Sequence, residues 1–237
     1  MGCCQSSDDS ESVNEMAPSQ VPDPELPGEE KVVAKVEKNL AFSQKVSKEF
    51  IKCLKSEALN NALSAPQLKR AFFELKIPDS EMNNPDSRTF VLLANFKNEK
   101  KLYDLQKLTL LGVLLGKGDL QEKAEWLFKQ YDLDASGMLD KSEVTNMLNA
   151  LLEVSCEILP KASVGSSAEL ISKESCNEYV SSLQAGKDSL ISSVINELMQ
   201  EEEISLSEFK MKLSGPGNLS KVLTSTGCRS LAYKAMI

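Results

Sequence analysis

The most informative stretch of the sequence is Asp132-Leu-Asp-Ala-Ser-Gly-Met-Leu-Asp-Lys-Ser-Glu143. Side chains with oxygen atoms recur at its positions 1, 3, 5, 9 and 12, and the glycine at position 6 permits a sharp turn. Ca²⁺ takes roughly six to eight oxygen ligands, and this spacing is typical of a loop that surrounds the ion. We expect one Ca²⁺ ion, held by Asp132, Asp134, Ser136, the backbone carbonyl of Met138, Asp140 through a water molecule, and both carboxylate oxygens of Glu143.

Apolar residues recur at helical spacing on both sides of this loop. They are Leu120, Ala124, Leu127, Phe128 and Tyr131 before it, and Val144, Met147, Leu148 and Leu151 after it. The pattern predicts the helix–loop–helix unit of an EF-hand. Ser136 stands where Asp or Asn is commoner, so we expect binding to be retained but weaker. The alternative, an acidic surface turn, does not account for Gly137 and the two helices.

EF-hands normally pair through a short strand in each loop, which predicts further copies of the pattern that begins at Leu139. The segment Ile204–Phe209 matches it, and we expect this segment to pair with the first loop but not to bind Ca²⁺, because its loop is shortened and lacks the glycine. Weaker matches at Leu63–Leu68 and Leu102–Gln106 follow stretches that cannot supply a calcium shell. The alternative, for all three matches, is that they belong to ordinary amphipathic helices.

The stretch Glu122-Lys-Ala-Glu-Trp-Leu-Phe-Lys-Gln-Tyr-Asp-Leu-Asp134 resembles the third hand of the neuronal-calcium-sensor and calcineurin-B-like group. The resemblance implies an all-α fold with two pairs of EF-hands, one hand functional and up to three degenerate. We therefore expect a degenerate pair over 31–116, a pair with the functional loop over 117–213, and a C-terminal tail over 214–237. Members of that group usually bind two or more ions, whereas this chain is expected to bind one.

The first thirty residues have a different composition from the rest. They hold eight acidic residues and no Lys or Arg, and they are rich in Ser and Pro, which predicts a disordered tail. The chain begins Met1-Gly2-Cys3-Cys4-Gln5-Ser6, which fits the N-myristoylation pattern at Gly2. One myristoyl chain gives only marginal membrane binding, and palmitate on Cys3 and Cys4 would supply the second anchor. The alternative is a chance start to the tail.

Composition argues against several classes of function. The chain has no histidine, which removes His-based zinc sites and Ser–His or Cys–His catalytic pairs. No phosphate-binding loop or nucleophile–base pair is present, so we expect neither an enzyme nor a small-molecule substrate. No basic stripe indicates nucleic-acid binding. We find no secretory signal and expect the four cysteines beyond Cys4 to be reduced thiols.

Two functions fit these observations. The first is a calcium sensor or adaptor, anchored by lipid at the cytoplasmic face of a membrane, that regulates a partner protein through an amphipathic helix of that partner. The second is a regulatory or scaffolding subunit with one constitutively bound structural Ca²⁺ ion. With either function, residues 218–235 have the composition of a helix, and this helix would occupy a groove of the protein itself.

Overall fold

The computed structural model describes residues 25–237, and these fold almost entirely as helices, in agreement with the predicted all-α class. The helices are α1 (Gly28–Asn39), α2 (Ser47–Glu57), α3 (Ala65–Glu74), α4 (Ser80–Asn83), α5 (Arg88–Ala94), α6 (Leu105–Leu115), α7 (Leu120–Tyr131), α8 (Lys141–Glu153), α9 (Leu159–Lys161), α10 (Lys173–Ala185), α11 (Lys187–Leu198), α12 (Leu206–Ser214) and α13 (Ser225–Met236). A π-helical turn, Val154–Ile158, joins α8 to α9, and a 3-10 turn, Leu219–Leu223, precedes α13. None of the helices within 25–237 has the length and apolar character needed to cross a bilayer.

Four short strands form two antiparallel pairs. Strand β1 (Ala62–Leu63) pairs with β2 (Tyr103–Asp104), and β3 (Met138–Asp140) pairs with β4 (Glu203–Ser205). Each strand leads into a helix, so residues 25–237 contain four helix–loop–strand–helix units, numbered in chain order and joined in two pairs. They are α2–β1–α3, α5–β2–α6, α7–β3–α8 and α11–β4–α12. The residues just before these four helices are Ser64, Asp104, Asp140 and Ser205, all of which bear a side-chain oxygen that suits an N-cap.

The second unit differs from its expected register by one residue. The sequence pattern places Leu102 at the pairing position, but in the structure Tyr103 lies opposite Leu63. Tyr103 is buried, and Asp104 caps α6 by accepting a 3.1 Å hydrogen bond from the Lys107 backbone N–H. Because Asp104 caps α6, the helix begins at Leu105. Tyr103, just before the cap, is therefore the residue that faces the partner strand.

A continuous hydrophobic core connects the two pairs of units. The ring of Phe42 packs edge-on against Phe50 and Phe72, and Phe128 packs in the same way against Phe209. Helices α2 and α6 contact α7, so the first pair rests directly on the second. The cysteines Cys53, Cys156, Cys176 and Cys228 are free thiols, and all but Cys53 are buried.

Both ends of the described chain form helices that pack on the body of the protein. Residues 28–30, expected as part of the N-terminal tail, form the first turn of α1, where the buried Glu30 pairs with Arg229. In the C-terminal segment 214–237, where the composition indicates a helix over 218–235, α13 packs against α8, α10, α11 and the π-helical turn. Helix α10 ends at Ala185, and Gly186 follows it. The predicted disorder of residues 1–24 lies outside the described residues.

Candidate metal-binding loop

The loop 132–143 is fixed at both ends and in the middle by buried apolar residues. Helix α7 ends at the buried Tyr131, and Asp132 is the residue that caps it. Leu139 is fully buried and lies opposite Ile204 across the β3–β4 pair. Val144, near the start of α8, is also buried. The polar residues between these anchors are therefore held at the surface in one conformation.

The turn of the loop places two carboxylates against its backbone. Ala135 and Gly137 adopt left-handed conformations, with φ of 57° and 77°. The backbone N–H of Gly137 donates to Asp132 Oδ2 at 3.2 Å, and that of Ser136 donates to Asp134 Oδ1 at 3.0 Å. Hydrogen bonds from the backbone and the side chain of Ser136 hold the pKa of Asp134 below its usual value.

Oxygen atoms from three of the predicted ligand positions meet near the hydroxyl of Ser136. Ser136 Oγ lies 3.4 Å from Asp132 Oδ1 and 3.1 Å from the carbonyl oxygen of Met138. The Met138 side chain takes no part in this contact. The arrangement offers one carboxylate, one hydroxyl and one carbonyl oxygen, all hard donors of the kind that Ca²⁺ prefers.

Glu143 connects the beginning of the loop to its end. Its Oε1 accepts a 3.3 Å hydrogen bond from the Leu133 backbone N–H, and its Oε2 accepts one of 3.2 Å from the N–H of Asp140. In return Asp140 Oδ1 accepts a 2.7 Å hydrogen bond from the Glu143 N–H and so caps α8. Asp140 therefore has its other carboxylate oxygen available for a water molecule or an ion.

The carboxylates of the loop stay apart from one another. Within residues 25–237, no group of three or more His, Cys, Asp or Glu side chains is gathered closely enough to hold a metal ion as it stands. Like charges at short range repel, which accounts for this spacing. The donor set fits Ca²⁺ in number and chemistry, and a bound cation would have to bring these carboxylates closer together.

The other three units have loops without a comparable set of donors. In the first, the Gln67 side chain bonds to the Ser64 N–H and to the Glu57 carbonyl. In the second, Asn98 Oδ1 accepts hydrogen bonds from the backbone of Lys100 and Leu102. In the fourth, α11 ends at Leu198, so 199–205 supplies seven residues where the third unit has nine, 132–140. These loops are closed by bonds within the protein.

Trp126, on the helix that enters the loop, is partly buried, and the ammonium of Lys55 lies 5.0 Å from its ring centroid. It is the single tryptophan of the chain, so its fluorescence reports on this region alone. The predicted lipidation residues Gly2, Cys3 and Cys4 lie outside the described residues. A search against models of known protein families finds no match for this chain. The interpretation of the loop therefore depends on its residues and their geometry.

Proposed function

We propose that this chain is a calcium-binding EF-hand protein with one working loop, Asp132–Glu143, and that it regulates a partner protein at a membrane. The proposal is carried by the position of Ser136 Oγ, which lies within 3.4 Å of both Asp132 Oδ1 and the Met138 carbonyl oxygen. Glu143 stands at the end of the loop that a bound ion would close. The chemistry is that of a hard cation in an oxygen shell.

The pairing of the units supports the EF-hand interpretation. Leu139 and Ile204 are opposite each other in an antiparallel pair, and Leu63 and Tyr103 are related in the same way. Two helix–loop–helix units joined by such a strand pair are the arrangement expected for paired EF-hands. On this proposal the first, second and fourth hands are silent, and one ion serves the whole chain.

A bound ion would act through the two helices that flank the loop. Asp132 caps the end of α7 and Glu143 lies in the first turn of α8, so pulling these carboxylates together changes the angle between the helices. Such a change alters the apolar surface offered to an amphipathic helix of a target protein. Acyl chains on Gly2, Cys3 and Cys4 would hold the protein at the cytoplasmic face of a membrane.

Calorimetric titration of the full chain with Ca²⁺ and Mg²⁺ tests the calcium proposal directly. We expect one Ca²⁺ ion per chain and a change in Trp126 fluorescence on binding. Glu143→Gln should abolish both signals, and circular dichroism should confirm that the variant is folded, because Glu143 also caps α8. Glu201→Gln removes a carboxylate from the fourth loop and is the matched control. A Glu143→Gln protein that titrates like the unchanged chain would show that the site lies elsewhere.

One observation favours the second candidate, a scaffolding subunit with a structural ion. Helix α13 already packs against α8 and α11, so part of the apolar surface beside the loop is covered by the protein itself. Affinity separates the two candidates, because sensors bind Ca²⁺ at roughly 10⁻⁷–10⁻⁵ M and constitutive sites bind more tightly. An affinity in the sensor range supports regulation, and a nanomolar one supports the structural role.

The membrane part of the proposal depends on the Met1–Ser6 pattern and has its own test. Cells that express the chain can be labelled with alkyne analogues of myristate and palmitate and then fractionated. We expect both labels in the membrane fraction. Gly2→Ala should lose the myristate label and the membrane association, and Cys3→Ser with Cys4→Ser should keep the myristate label but lose the palmitate label and most of the membrane association. Equal membrane association of all three proteins would refute the lipid anchor.

A further inference from the structure

The fourth unit contains an internal cation at the place where its loop closes. Lys212 Nζ lies 3.0 Å from Glu208 Oε1 and donates a 2.9 Å hydrogen bond to the carbonyl oxygen of Leu198. The Lys212 side chain is only 17% exposed. One positive charge thus bridges a carboxylate and a carbonyl oxygen from two different helices.

These two contacts link the same parts of the unit that an ion would link in the third unit. Leu198 is the last residue of α11, and Glu208 is the third residue of α12. In the third unit, Asp132 directly follows the last residue of α7, and Glu143 is the third residue of α8. The ammonium of Lys212 therefore joins the end of the entering helix to the first turn of the leaving helix.

The third unit has no such cation of its own. Four residues after Glu143, where the fourth unit has Lys212, stands the fully buried Met147. The first unit is closed internally as well, since Gln67, the third residue of α3, donates from Nε2 to the carbonyl of Glu57, the last residue of α2, at 2.7 Å. The first and fourth units thus have an internal bridge of this kind, whereas no such bridge is seen in the third unit, which keeps its four carboxylates.

We propose that Lys212 takes the place of a second ion in this pair and is a positioning residue for calcium binding at 132–143. The proposal rests on the proposed calcium function. Glu208, held by Lys212, also donates its backbone N–H to Ser205, the cap of α12 and last residue of β4. The preceding residue of that strand, Ile204, lies opposite Leu139 of the calcium loop. Lys141 and Glu202, 2.9 Å apart, connect the two loops a second time.

The mechanism is preorganisation. If β4 is already held in place by the fourth unit, its partner strand β3 loses less conformational freedom when an ion binds loop 132–143. The smaller entropy cost raises the calcium affinity without any new ligand. The fourth loop would then remain closed at every calcium concentration. Calcium binding to the pair would proceed as a single event at 132–143, with the fourth unit acting as a permanent template.

The test compares Lys212→Met, which removes the charge but keeps most of the stem, with Lys212→Arg, which retains the charge. We expect Lys212→Met to weaken calcium binding about fivefold or more with one ion still bound. Lys212→Arg should restore most of the affinity. Lys161→Met is the matched control, because Lys161 also pairs with a glutamate four residues away, Glu157, and lies outside the paired loops.

A second measurement needs no calcium. Amide hydrogen exchange at Leu139 and Ile204 in the calcium-free protein should be faster in Lys212→Met and close to the unchanged rate in Lys212→Arg. Unaltered affinity and exchange in Lys212→Met would overturn the proposal, as would an arginine variant as weak as the methionine one. If the unchanged chain binds no Ca²⁺, the proposed function fails, whereas the exchange rates still decide whether Lys212 fixes the strand pair.

Discussion

Arg229 on the last helix and Glu30 on the first are joined by two hydrogen bonds, from Nε to Oε2 at 2.6 Å and from Nη2 to Oε1 at 2.9 Å. The guanidinium is fully buried, and it also bonds to both carboxylate oxygens of Glu37. Tyr179 donates its hydroxyl to Glu30, and Ser225 donates to Glu37. Burial alone would lower the pKa of Arg229, but Glu37 and Glu30 raise it well above its usual value. Helix α1 is therefore locked to the C-terminal helix.

The first prediction concerns this buried charge cluster. Arg229→Met leaves two glutamates buried without a counter-charge, and we expect a loss of about 3–5 kcal/mol in the free energy of unfolding. Replacing Glu30 and Glu37 by Gln in the same protein should restore part of that loss, because the uncompensated charges are then removed. Urea denaturation followed by circular dichroism measures both effects.

The matched control is Arg70→Met, because Arg70 forms a 2.7 Å ion pair with Glu57 at the surface. Such exposed pairs contribute about 0–1 kcal/mol, so this variant should remain close to the unchanged protein. Equal and small losses for Arg229→Met and Arg70→Met would show that the buried cluster does not hold the two ends of the chain together.

This cluster also shows where sequence reasoning stops. The helices on both sides of loop 132–143 follow from local spacing, and the structure has both of them as predicted. Glu30 and Arg229 are 199 residues apart, and each alone is an ordinary charged residue of an amphipathic helix. Neither periodicity nor composition pairs them, so the contact between the first and last helices cannot be predicted from the sequence. The register at Tyr103 was recoverable, since Asp104 is a local capping signal.

The second prediction is a dependence of stability on pH through Lys123. This lysine is 5% exposed and forms no ion pair within residues 25–237, and burial lowers its pKa from 10.5 to about 8. Because the folded pKa lies below the unfolded one, the native state binds fewer protons between these values. Stability should therefore rise as the pH increases from about 8 to 10.5.

Lys123→Met removes this dependence. At pH 7 we expect the variant to be more stable than the unchanged chain, by at most about 3 kcal/mol, because the cost of a buried charge is gone. Its advantage should shrink as the pH rises towards 10. Lys52→Met, at an exposed position of α2, is the control and should show no such trend. Guanidinium denaturation at several pH values measures the difference, and a constant difference would contradict the assignment to Lys123.

The third prediction separates backbone strain from crowding at Gly137. Its φ is 77°, and a Cβ added there would meet no atom within 4 Å, so the only obstacle to a side chain is the left-handed backbone. Gly137→Ala should cost about 1–2 kcal/mol of stability and weaken calcium binding. Gly28→Ala, which has equally free space at the start of α1 without a positive φ, should be neutral or slightly stabilising. Thermal denaturation and calcium titration of the two variants distinguish strain from a general effect of removing a glycine.

The last prediction addresses the contact between the two loops at Leu139 and Ile204. Each side chain is almost completely buried, so Leu139→Ala and Ile204→Ala should each cost about 2–5 kcal/mol. Since the two residues are opposite each other in the strand pair, the double variant should lose less than the sum, with a coupling of about 0.5–3 kcal/mol. Leu133→Ala, at a 79% exposed position of the same loop, should leave stability almost unchanged.

Calcium titration of Ile204→Ala gives the decisive part of this experiment, because Ile204 offers no ligand to the ion. If the fourth unit positions the third through the strand pair, this variant should bind Ca²⁺ more weakly than the unchanged chain, while Leu133→Ala should bind normally. Denaturation without calcium provides the stability of each protein, so that a loss of affinity can be separated from unfolding. Additive stabilities together with unchanged affinity would mean that the two loops are adjacent but independent, and that loop 132–143 needs no partner to bind its ion.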